Sequence, residues 1–211
     1  LFVTIFSAFV FGYLDLFTGY KFERLHIFLF NLCSGCFIIL NMTEKKINSR
    51  RSYLFFILSI FFALFAFFEF YILAIITALS LAIVVEAIRI PTFSFFPFDF
   101  YNNEIDVWTK FNHAALLCLS IGLVISAIVM LNNEYMHWIK YEKLTLNVFF
   151  LGFSFPVSLI TMSVLFSYIK KSKTKFSLFL ENFCFWSVNL GVIFFFIFII
   201  FELFVPMIIV A

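Results

Sequence analysis

The chain of 211 residues is 64% hydrophobic and 12% charged, with a mean hydropathy of +1.12. A water-soluble domain carries about a quarter charged residues and a disordered chain needs low hydrophobicity with high net charge, so both classes are excluded. The formal charge of +2 leaves no basic excess for a nucleic-acid backbone, so no nucleic-acid partner is expected.

What remains is an all-α, polytopic transmembrane helix bundle whose first partner is the lipid bilayer. Phe alone accounts for 38 residues. Leu, Ile and Phe serve lipid contact about equally, so this excess carries no functional signal and accords with an AT-rich genome, bacterial or organellar. The chain begins at Leu1 and stays apolar to Ala211, which suggests a segment of a longer protein. No basic stretch precedes the first apolar run, which argues against a signal peptide.

About 20 apolar residues are needed to cross the hydrocarbon core. Apolar runs predict seven spans in one transmembrane domain, at 1–17, 25–42, 53–68, 71–90, 111–131, 144–169 and 183–205. The first closes on Asp15. The second opens with His26 and carries Cys33-Ser-Gly-Cys36. The third and fourth are separated only by Glu69 and Phe70, as in a tight helical hairpin. Glu86 and Arg89 lie three apart on the fourth, on one face and able to pair.

Residues 91–110 form the longest connection. Pro91 and Pro97 remove donors, so its start is expected to be irregular, and Phe93, Phe95, Phe96, Phe98 and Phe100 suggest a strip lying on the membrane surface or against another subunit. The fifth span begins near His113 and carries Ala114, Cys118, Gly122 and Ser126 at intervals of four, a ridge for close helix approach. His137 falls in the aromatic-rich loop 132–143. In the sixth span Pro156 predicts a kink by freeing the carbonyl of Gly152. The seventh carries Glu202 near its end. Asn31, Asn41, Asn147 and Asn189 are expected to bond across the bundle.

Alternate loops set orientation. One side collects Lys45, Lys46, Arg50, Arg51, Arg89, Lys110, Lys170, Lys171, Lys173 and Lys175, the other Lys21, Arg24, Lys140 and Lys143. The first side is expected to be cytoplasmic, or matrix, in a bacterial cytoplasmic membrane or an organellar inner membrane.

Ionisable groups inside a membrane are costly and mark candidate sites. Glu202, Glu69 and Asp15 share the outer depth zone with His26 and His137, and Glu86 and Arg89 lie on the inner side. The five acids and bases Glu202, Glu69, Asp15, Glu86 and Arg89 are the candidates for a substrate or ion pathway. His26, His137 and His113 are the candidates for metal or haem. A haem site is allowed but only weakly supported, because three His cannot serve several haems and only His26 and His137 share a side. Cys33 and Cys36 are the candidates for thiol–disulfide chemistry, for which Cys118 and Cys184 are expected to lie too far inward to act as partners. In each case a simpler account takes precedence: loop ends collect polar residues, and small residues ease helix contact. Phosphate-cradling loops and hydrolase or metalloprotease motifs are absent. The preferred functional expectation is a helical subunit of a larger membrane complex, respiratory or electron-transferring. The alternatives are a transporter or channel, and an intramembrane haem or thiol oxidoreductase.

Overall fold

The computed structural model describes residues 1–18, 20, 22–44, 49–140, 153–169 and 174–210. Among them there are helices and no strands. Helix α1 is Phe2–Asp15. Helix α2 runs over Glu23–Glu44, and its middle, Phe28–Cys36, is wound as a π-helix. Helix α3 is Arg50–Phe67 and α4 is Tyr71–Thr92. Helix α5 covers Val107–Leu131 and continues through a wide turn, Asn132–Met136. Helix α6 is Ser154–Tyr168, α7 is Lys175–Ile200 and α8 is Phe204–Val210.

Five of these segments are long and apolar enough to cross a membrane: Glu23–Glu44, Arg50–Phe67, Tyr71–Thr92, Val107–Met136 and Lys175–Ile200. Phe2–Asp15 and Ser154–Tyr168 are apolar but shorter. Most of the predicted span 144–169 before Ser154 lies outside the described residues, as do Tyr141, Lys143, Asn147 and Gly152. So do Lys21, Lys45, Lys46, Lys170, Lys171 and Lys173, on which much of the orientation argument rests.

The core is formed where α2, α3, α4, α5 and α6 meet. Phe28, Leu32, Phe62, Leu81, Phe111, Leu119 and Phe153 are fully enclosed there, with the rings of Phe28, Phe62 and Phe153 in edge or tilted contact. Outward-facing Phe and Ile cover the rest of each helix, as expected where the solvent is lipid.

Several boundaries differ from the sequence reading for local reasons. The helix does not stop before Pro91; it includes Pro91 and ends at Thr92. Proline leaves the carbonyl four residues back without its donor, and here that carbonyl, on Ala87, accepts a hydrogen bond from Arg51 Nη1 at 2.9 Å. The lost bond is replaced from α3, so α4 continues. Pro156 sits in the first turn of α6, where a missing N–H costs nothing, and a mid-helix kink is not its effect.

Of the α5 ridge, Ala114 and Ser126 are buried, but the tightest demand for glycine falls elsewhere. A Cβ on Gly122 would meet only Phe153, at an ordinary 3.9 Å, whereas one on Gly35 would fall 2.5 Å from Val157 Cγ2 of α6. One on Gly12 would fall 2.7 Å from His26 Nδ1. Gly35 and Gly12 are therefore the residues that make room for a neighbouring side chain, Val157 and His26 respectively. Asn41 and Asn189 each donate an amide N–H to their own helix, to Phe37 O at 3.0 Å and Phe185 O at 2.7 Å.

Candidate functional site

The largest polar assembly surrounds Arg89 near the end of α4. Arg89 is 2% exposed. Its Nε and Nη2 donate to the Glu86 carboxylate at 2.6–3.1 Å. Its Nη1 donates to Ser94 O at 2.9 Å and its Nη2 to Phe95 O at 3.1 Å. Nη1 also lies 2.9 Å from His113 Nε2. A guanidinium can only donate, so His113 Nε2 accepts, and the imidazole is neutral with its proton on Nδ1. That Nδ1 is buried without a hydrogen-bond partner, 3.8 Å from Asp99 Oδ2. Phe93 stacks on the His113 ring at 4.8 Å and Phe100 meets it edge-on at 5.0 Å.

The segment after α4 therefore folds back over the end of the bundle. Phe98–Tyr101 makes one tight 3-10 turn, and the whole of residues 93–101 is strapped down by Arg89 from below and by two Phe rings on His113. Two neighbouring bonds complete this polar end. Lys110, 1% exposed, donates to Asn182 Oδ1 of α7 at 2.7 Å. Thr43 of α2 donates to Asn112 Oδ1 of α5 at 2.8 Å. Sequence reading did not single out Asn112, Asn182 or Thr43. Small polar residues in apolar helices are too common to be picked out before their partners are known. Beside this layer Asp106, Trp108, Phe166, Ser167 and Glu181 line a cavity of about 120 Å³.

The remaining predicted residues divide between the two ends. His26 Nδ1 donates to Ala8 O of α1 at 2.7 Å, which leaves Nε2 as its only ligating atom. Together with Phe9, Tyr13, Asp15 and Glu23 it lines an open pocket of about 370 Å³. Asp15 is engaged in capping, since its Oδ1 accepts from Glu23 N at 3.0 Å, at the start of α2. Glu69 is exposed at the α3–α4 tip with φ of 62°. Glu69, Arg24 and Glu134 lie within electrostatic reach of Tyr71 and so share that end.

His137 is exposed, in a left-handed conformation just beyond the wide turn. His113 stands with Arg89 at the opposite end from His26. Its Nε2 is taken by Arg89 Nη1. No group of three or more metal-ligating side chains converges among the described residues.

Glu202 is not inside a helical span. Helix α7 ends at Ile200, and Glu202, exposed with φ of 56°, lies in the break before α8. Cys33 and Cys36 are both fully buried free thiols in the π-wound part of α2. Beside them Ser34 Oγ donates to Leu29 O, five residues back, at 2.8 Å. Cys118 of α5 and Cys184 of α7 are also free thiols, both partly exposed.

Taken as a class, the chain is a helical bundle with apolar helices of membrane-crossing length and a polar, strapped end. No family model, no curated protein and no solved structure matches it.

Proposed function

We propose that the chain is an integral membrane subunit of a larger membrane complex, held in a bacterial cytoplasmic or organellar inner membrane with its basic loops on the inner side. The observation that supports this reading is α7. It is 26 residues long and strongly apolar, yet Phe185 is its one buried residue. The other long helices bury between 33% and 61% of their apolar stretch, against 6% here. Helix α7 is fastened through Asn182, Phe185 and Trp186 to the strap and α5, and through Phe196 to Phe155. A helix placed so firmly at one end and so sparsely elsewhere is suited to packing against a neighbouring subunit. The basic side follows from the charge of the loops.

The test is a photo-crosslinking residue at Ile193 on α7 in native membranes, compared with one at Ile83 on α4; both positions are exposed. The reading expects a discrete protein adduct from Ile193 and lipid adducts alone from Ile83. Lipid adducts alone from both positions overturn it.

A further inference from the structure

We propose that residues 93–101 form an interfacial anchor seated among the phospholipids of the leaflet at the Arg89 end. This rests on the membrane-embedded reading above. Helix α4 has 22 residues, roughly 33 Å at about 1.5 Å per residue, which matches the hydrocarbon thickness and brings the chain to the headgroup boundary at Thr92. Its outward stripe of Ile76, Leu79, Ile83 and Ile90 leads down to the strap.

There the aromatic residues divide. Phe93 and Phe100 turn inward onto His113. Phe95, Phe96, Phe98 and Tyr101 are 61%, 59%, 73% and 74% exposed. Four outward aromatic rings on one short segment are costly in water and favoured at a membrane boundary.

The backbone gives the second, independent argument. A loop in water can leave its carbonyls to solvent, whereas a loop entering lipid must satisfy them internally. Here the carbonyls of Ser94 and Phe95 are taken by Arg89. That of Phe96 accepts from Ser94 Oγ and Phe98 N, that of Pro97 from Phe100 N, and that of Asp99 from Asn102 N. Pro97 brings no N–H to satisfy. Arg89 is thus the positioning residue of the anchor: it takes the two carbonyls, of Ser94 and Phe95, at the point where the chain turns outward. The charged residues agree, since Asp99 turns toward His113 and the exposed Glu104 follows the strap, where water is expected to begin.

Nitroxide labels on Phe96→Cys, Phe98→Cys, Glu104→Cys and Ile83→Cys test this, in the full chain carrying Cys118→Ala and Cys184→Ala and reconstituted in phosphatidylcholine vesicles. The measurement is collision with oxygen, which concentrates in lipid, against collision with a water-soluble nickel chelate. The expected result is oxygen-dominated relaxation at Phe96, Phe98 and Ile83, inverting to chelate-dominated at Glu104. Chelate access at Phe96 and Phe98 with oxygen access at Ile83 places the strap in water and overturns the anchor alone. Low access to both reagents at the strap means that protein covers it, which also overturns the proposal. Chelate access at Ile83 brings down the membrane reading, and the anchor with it. The two strap positions serve as duplicates, so a misfolded variant, recognised by its melting curve, does not decide the outcome.

Discussion

Arg89→Met removes a side chain that joins α4, α5 and the strap. The parent guanidinium satisfies the Glu86 carboxylate, the carbonyls of Ser94 and Phe95, and His113 Nε2. Met fills similar volume but leaves all four without that partner. Removing one member of a buried ion pair costs about 3–5 kcal/mol. The Glu86 side chain is 25% exposed and regains some hydration, which favours the lower half of that range. At roughly 2–4 °C per kcal/mol for a chain of this size, the melting temperature should fall by about 10 °C.

The assay is thermal unfolding in mild detergent followed by tryptophan fluorescence. Trp186 contacts Phe100 and Tyr101 and so reports the strap directly. Adding Glu86→Leu removes the stranded carboxylate and should recover part of the loss, but not all, because the Ser94 and Phe95 carbonyls stay unpaired. If Arg89→Met melts with the parent, or the double variant melts below the single one, the account of this cluster is wrong.

Gly35→Ala places a methyl 2.5 Å from Val157 Cγ2; overpacking of this kind costs about 1–3 kcal/mol, and Val157→Ala in the same chain should restore the parent melting curve. Lys110→Met breaks the 2.7 Å bond to Asn182, so the distance between spin labels on the N-terminal half of α7 and on α5 should broaden; an unchanged distribution would show that the aromatic contacts of α7 hold the helix without this bond. Thr43→Val strands Asn112 Oδ1 at the α2–α5 contact and should destabilise by about 1–2 kcal/mol, read from the same melts. Cys33 and Cys36, fully buried, should resist maleimide in mild detergent and react after SDS, while the partly exposed Cys184 reacts first; equal rates would contradict the burial of the pair.

The all-helical class was legible because it depends on composition alone, and most helices followed from apolar runs. What escaped the sequence was set by partners distant along the chain. Pro91 reads as a breaker until Arg51, 36 residues away on another helix, supplies the missing donor. Gly122 fits a ridge pattern, yet the demand for glycine falls on Gly35, and only the position of Val157 reveals it. Glu202 reads as intramembrane because the run from Phe183 to Val205 is unbroken in hydropathy, and hydropathy does not register the backbone break after Ile200. Glu86 and Arg89 were visible as a pair from their spacing. That Arg89 also holds two carbonyls and a histidine was not, because backbone acceptors carry no sequence signature.

The polar side chains within the helices divide by depth, and the division explains how this bundle can be specific. In mid-helix, Thr77 donates to Leu73 O, Ser80 to Ile76 O, Ser126 to Gly122 O, Thr161 to Val157 O and Asn189 to Phe185 O. Each satisfies itself on its own helix, so each helix can enter an apolar medium without waiting for a neighbour. Bonds between helices concentrate at the Arg89 end: Arg51 to Ala87 O, Thr43 to Asn112, Arg89 with His113, Ser163 to Trp108 O and Lys110 to Asn182. At the other end His26 with Ala8 and Glu23 with Asp15 tie only α1 to α2. Because lipid gives apolar faces little reason to choose one partner over another, the register of α2 to α7 is set mainly by that one polar layer. Helix α7, held there by Asn182 and sparsely elsewhere, is oriented by this layer, and its remaining surface is left for whatever lies beside it.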